Sequence, residues 1–129
     1  MNRRIVVLAS RNTDKVREMA ELCEDLPFEI RSVAEYPGLP DVLEDGTTAL
    51  GNATRKAVAT AAMTGEIAVA DDTALRVEAL GNLPDIFAAR FAGSDATYGD
   101  NCRLLSDLMA QVPDGHRQAH FMTAGVWVD

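Results

Sequence analysis

Lysine is almost absent from this chain. Of 129 residues, ten are arginine and only two are lysine, Lys15 and Lys56. Positive charge in general is scarce, with twelve Lys and Arg against twenty Asp and Glu and a net charge of -8. An acidic surface repels phosphate backbones and anionic headgroups, so nucleic acid and membrane are excluded as the main partners. The two cysteines, Cys23 and Cys102, lie far apart and lack metal-ligand spacing, so both read as reduced thiols within helical patterns. Long apolar runs are also missing. The stretch Ile5 to Ala9 follows two arginines but is too short for a leader or a membrane span, so a cytoplasmic setting is expected.

What is present suits a globular α/β protein: 47% of the residues are hydrophobic and 25% charged. The length suits a single domain over residues 1–129, burying roughly two thirds of its unfolded surface. Arg4 to Ala9 reads as a buried strand, and Thr13 to Leu26 as a helix that Pro27 stops. Phe28 to Ser32 alternates like a half-exposed strand, followed by a loop with Pro37, Gly38 and Pro40. Thr47 to Met63 reads as an alanine-rich helix, capped by Thr47 or Thr48 and ended by Gly65. Ile67 to Ala70 is a short strand, Leu75 to Leu80 is a candidate for another, and Gly81 to Ser94 is mostly loop. Thr97 and Asp100 have capping-box spacing ahead of a helix, and Gln118 to Val128 closes the chain as a strand. Strands alternating with helices predict a mixed central sheet flanked by helices, with ligands beyond the carboxyl ends of the strands.

Four stretches carry residues with chemistry. In "SRNTDK", Ser10 to Lys15, a strand feeds a helix N-terminus, where free N–H groups and a lysine suit a phosphate. The plainer reading is that Asn12 or Thr13 caps the helix and Lys15 is solvated. In "EDGTTALGNATRKA", Glu44 to Ala57, Asn52 and Lys56 share a helix face, and Glu44 and Asp45 precede it as carboxylates for a metal or for the helix dipole. In "AVADDTALRVEALG", Asp71 and Asp72 end an apolar strand, so one can face a ligand while its neighbour braces the turn. Such carboxylates are natural ligands for Mg²⁺, though a paired-acid turn without a ligand is the alternative. In "PDIFAARFAG", Phe87, Arg90 and Phe91 suit stacking on a base or clamping a phosphate, with core packing as the alternative. No P-loop spacing occurs. His116 and His120 have no third ligand near them and read as structural.

Together the four stretches resemble the inosine/xanthosine triphosphate pyrophosphatase family of Ham-like enzymes. The family's [ST]-x-N-x-x-K is matched by Ser10, Asn12 and Lys15. Its E-x-G-x-[TS]-x-x-x-N-A-x-x-K-A segment is matched by Glu44, Gly46, Thr48, Asn52, Ala53, Lys56 and Ala57. Its A-D-D-[ST]-G-L-x-V-x-A-L-G is matched from Ala70 to Gly81, with Ala74 in place of glycine. Its P-G-[VI]-[YF]-S-A-R-[YF]-A-G is matched from Pro84 to Gly93, with Asp85 and Ala88 as departures.

The resemblance implies an ITPase-like fold and a Mg²⁺-dependent enzyme that cleaves ITP, XTP and their deoxy forms to monophosphate and pyrophosphate. It implies that Ser10, Arg11, Asn12, Thr13, Asp14 and Lys15 hold the substrate, with Asn52, Lys56, Thr73 and Arg90. It implies Asp72 as metal ligand or as proton acceptor for the attacking water, Glu44 as a metal partner, and a homodimer. Many relatives carry a further acid where this chain has Leu43. The family's G-F-G-Y-D-P and S-H-R motifs do not occur here, so the expectation is a member incomplete at its C-terminus. The alternatives are a catalytically impaired nucleotide-binding or dimerisation module, and a fragment too unstable to fold alone.

Overall fold

The computed structural model describes residues 2–129. It is a mixed α/β fold with a central sheet, and the chain divides into two compact units. The first holds the residues up to Asp71 together with Ala124–Asp129, and the second holds Asp72–Thr123.

The first unit is built on strand β1, Arg4–Leu8. Val6 and Val7 are both fully buried, and adjacent strand residues point to opposite faces, so β1 is covered on both sides. It pairs in parallel with β2, Phe28–Ser32, from Arg4 opposite Phe28 to Leu8 opposite Ser32. On its other side it pairs in parallel with the start of β3, Ile67–Val77, and the last register pair is Leu8 with Val69. Helix α1, Thr13–Leu22, packs against β2. It ends four residues earlier than the periodicity predicts. Glu21, Glu24 and Asp25 crowd its carboxyl end, where the helix dipole disfavours negative charge, and no basic residue lies in the last turn.

Helix α2, Ala49–Thr64, is the other major element of this unit. Thr48 is its N-cap, accepting a hydrogen bond from Gly51 N–H, and Gly65 closes it in the left-handed conformation at φ +73°. Its buried stripe is Ala49, Asn52, Ala53, Ala57 and Thr60, the three- and four-residue spacing of one helix face. At the far end of the chain, Trp127 of β5, Ala119–Val128, meets Phe28 edge to face at 5.6 Å.

β3 runs without a break through Asp71 and on through Asp72, where the second unit begins, to Val77. The expectation that the two aspartates end a strand is therefore corrected. Antiparallel pairing with β4, Leu83–Asp85, holds the extension, with Leu75 opposite Asp85 and Val77 opposite Leu83. β4 falls inside the predicted loop because only three residues long, one of them proline, it has no alternation to read.

Helix α3, Tyr98–Met109, starts with the predicted capping box. Thr97 Oγ1 accepts from Asp100 N–H, Asp100 Oδ2 accepts from Thr97 N–H, and Arg103 adds a salt bridge at 2.6 Å. The Thr97 N–H and then the Arg103 guanidinium hold the Asp100 carboxyl below its ordinary 3.8. A depressed carboxyl stabilises the fold above its unfolded value, and that contribution fades as pH falls through the folded value. The stability gap between wild type and Asp100→Asn is therefore expected to be full at neutral pH and to close below pH 3.8. Urea unfolding followed by circular dichroism across pH 2–7 measures it, and a gap independent of pH would contradict the assignment.

Candidate active site

The site of the first unit begins where β1 ends. Ala9 N–H still bonds Val69 C=O at 2.9 Å, and then the chain turns, with Ser10 N–H reaching back to Leu8 C=O at 2.8 Å. The turn is built from its own polar side chains. Ser10 Oγ accepts from Asn12 N–H at 3.1 Å, and Ser32 Oγ donates to Ser10 C=O at 2.7 Å. Asn12 is the N-cap of α1, its Oδ1 accepting from Asp14 N–H at 3.0 Å and Lys15 N–H at 3.3 Å. Asn12 rather than Thr13 is thus the cap. Thr13 opens the helix, and the Asp14 carboxylate lies 3.4 Å from Arg17. Arg11 leaves the turn sideways, donating to Asp41 Oδ1 at 3.3 Å and Leu39 C=O at 3.2 Å.

Lys15 is partly exposed but does not stand alone in solvent. Its ammonium forms an ion pair with the Asp71 carboxylate. Lys56, whose side chain is 16% exposed, reaches the same residue from α2, donating to Asp71 C=O at 2.7 Å and pairing with Glu44 Oε1 at 3.0 Å. The chain's two lysines, 41 positions apart, therefore converge on one aspartate. Asp71 is the residue that sequence reasoning left out of the site. The signal was the doubled acid of "ADD": one member braces and the other is free.

Asp72, next along β3, points to the opposite face by the pleat. It takes part in no ion pair among the described residues. Thr73 follows it, its hydroxyl 2.9 Å from that of Thr123. Arg90 lies in the second unit, its guanidinium 5.0 Å from the centroid of the Phe87 ring. Asn101 braces that loop, accepting from Ala92 N–H at 2.8 Å and donating to Ala89 C=O at 3.0 Å.

The loop before α2 is tied down residue by residue. Glu44 pairs with Lys56, Asp45 with Arg55, and Gly46 N–H donates to Asn52 Oδ1 at 2.8 Å. A cavity of about 230 Å³ opens beside it, with Ser10, Arg11, Asp41, Glu44, Lys56 and Thr60 among its lining. No group of three or more Asp, Glu, His or Cys converges among the described residues, so no all-protein metal cage is built. The donors nevertheless fit Mg²⁺. Glu44 and Asp72 both offer hard carboxylate oxygens, and Asp72 is in no ion pair among the described residues. That ion is commonly held by one or two carboxylates with phosphate and water completing its shell.

A model described as the Ham1 family matches residues 6–129. The chain belongs to the Ham1 family. A dITP/XTP pyrophosphatase of Desulforamulus reducens is 47% identical over 118 residues, which is 90% of this chain and 58% of that protein. One of Vibrio cholerae is 43% identical over 116 residues, with the same two coverages, 90% and 58%. Among solved structures, a HAM1 protein from Coxiella burnetii superposes with a TM-score of 0.88 at 35% identity, covering 96% of this chain and 62% of that one. The chain thus spans less than two thirds of the length of these relatives. The Ham1 fold accounts for the order of the four stretches and for the ITPase-like architecture.

Proposed function

We propose that this Ham1-family chain is a nucleoside triphosphate pyrophosphohydrolase. Its substrates are purine nucleotides with aberrant bases, ITP, XTP and their deoxy forms, and its products are the monophosphate and pyrophosphate. The observation that carries the reading is the convergence of Lys15 and Lys56 on Asp71, one residue from a carboxylate in no ion pair among the described residues. The names of the relatives support the substrate class.

In this reading the Ser10–Lys15 turn and Lys56 hold the triphosphate, with Thr73 and Arg90 contacting the nucleotide. Glu44 and Asp72 would hold Mg²⁺, which when bound neutralises charge on the phosphates and activates water. The oxygen of the attacking water bonds to the α-phosphorus as Asp72 accepts its proton. The bond between the α-phosphorus and the bridging oxygen breaks, and pyrophosphate departs with the electron pair. The lysine ammoniums stabilise the charge developing on those oxygens. A cytoplasmic homodimer completes the proposal.

The test is pyrophosphate release from ITP, XTP and GTP, with Mg²⁺ and with chelator. Release that favours ITP or XTP and stops with chelator is the expected result. Nucleotide binding without release would instead assign the chain as a binding module.

A further inference from the structure

Glu44, Asp45 and Gly46 are consecutive loop residues, and each is fastened to α2 at a different point. The Glu44 and Asp45 ties are ion pairs on half-exposed side chains, with Glu44 at 42% and Asp45 at 63% exposure. Water and salt weaken such pairs. The third tie is different in kind. Asn52 is 2% exposed, and its Oδ1 accepts the Gly46 N–H at 2.8 Å. Removing that acceptor leaves a backbone donor without a partner in a part-buried place, which costs more than a surface pair contributes.

The approach is so close that a Cβ on Gly46 would lie 2.6 Å from Asn52 Oδ1 and 3.3 Å from both Asn52 Cγ and Asn52 N. A side chain there would force the loop or the Asn52 side chain to shift. Asn52 and Lys56 stand one helical turn apart. The loop therefore touches α2 at a buried pin, Gly46 on Asn52, and then lays the Glu44 carboxylate on the Lys56 ammonium one turn further along.

From this juxtaposition we infer that Asn52 is a positioning residue: by holding Gly46 it sets the Glu44 carboxylate against Lys56. Its amide oxygen serves the loop backbone rather than a substrate. What the placed carboxylate is for rests on the function proposed above, but the placement itself does not.

The scarcity of lysine makes the test clean, because Lys15 is an internal control for Lys56. The ligand-free chain is pulsed with acetic anhydride, and the acetylation rate of each lysine is read by peptide mass spectrometry. Asn52→Ala is expected to raise the Lys56 rate about fivefold, the equilibrium shift that one net hydrogen bond corresponds to, and to leave Lys15 unchanged. Gly46→Ala, which perturbs the same contact from the loop side, should act alike. In a Glu44→Gln background the carboxylate that Asn52 would place is gone, Lys56 keeps only its bond to Asp71 C=O, and Asn52→Ala should add nothing. Thermal unfolding of each variant reports folding.

An unchanged Lys56 rate in both Asn52→Ala and Gly46→Ala would overturn the inference. So would Lys15 rising in step with Lys56, or an undiminished effect of Asn52→Ala in the Glu44→Gln background. In turnover, Asn52→Ala should raise the half-saturating Mg²⁺ concentration while leaving KM for the nucleotide at saturating Mg²⁺ unmoved. A raised KM there would make Asn52 a substrate contact and overturn the inference. A wild-type chain that releases no pyrophosphate refutes the proposed function, and the two acetylation rates still decide the role of Asn52.

Discussion

Asp72→Asn is expected to lower pyrophosphate release by about 10²- to 10⁴-fold, the range over which a positioned general base contributes. The substitution is nearly isosteric, so the strand, its pairing and the turn at Ser10 should be preserved. What it removes is a carboxylate that no cation of the first or second unit occupies among the described residues. Asp71→Asn differs in kind, because Asp71 is engaged through both its carboxylate and its carbonyl, and only the first is lost. It should weaken the hold on Lys15 and leave the Lys56 bond intact, giving a smaller loss. Steady-state release together with nucleotide binding by fluorescence checks the pair. Binding retained and turnover lost in Asp72→Asn alone is the expected signature, and equal losses in the two variants would refute the division of labour.

The second large effect is expected at Lys56. Lys56→Met keeps most of the aliphatic stem, which is largely buried, and removes the ammonium. Losing one preorganised donor to a developing oxyanion typically lowers turnover by about 10²- to 10³-fold. Two acceptors are also abandoned, Asp71 C=O and Glu44 Oε1. The carbonyl is part-buried, so its desolvation is felt in stability at roughly 1–3 kcal/mol. Chemical denaturation and single-turnover kinetics separate the two losses. Lys15→Met, whose side chain is 41% exposed, should cost less stability, because its lost pair is screened by water. Equal destabilisation by the two substitutions would contradict this ranking.

Much of this was legible before any coordinates, for identifiable reasons. β2 reads off its alternation, α2 off its alanine stripe and the Thr48 and Gly65 stops, and α3 off the spacing of Thr97 and Asp100, because local chemistry sets these features. The carboxyl end of α1 and the strand β4 were hidden, since one depends on charge at a helix end and the other on a partner strand. In the site, the turn at Ser10 and the two lysines stood out by composition alone. That both lysines meet at Asp71 did not, because the meeting needs parallel strands to bring residues 15, 56 and 71 together. The Gly46–Asn52 contact was equally silent. The pattern names both residues, but only the distance between them says why one lacks a side chain.

The protein supplies its own counter-ions: Asp71 stands on Lys15, and Glu44 on Lys56. On the function proposed above, an arriving triphosphate would not find bare cations. It would enter by exchange, each ammonium trading a carboxylate oxygen for a phosphate oxygen. The free energy of binding is then a difference between two ionic partnerships, so added salt, which screens both, should weaken nucleotide binding less than two unpaired lysines would imply.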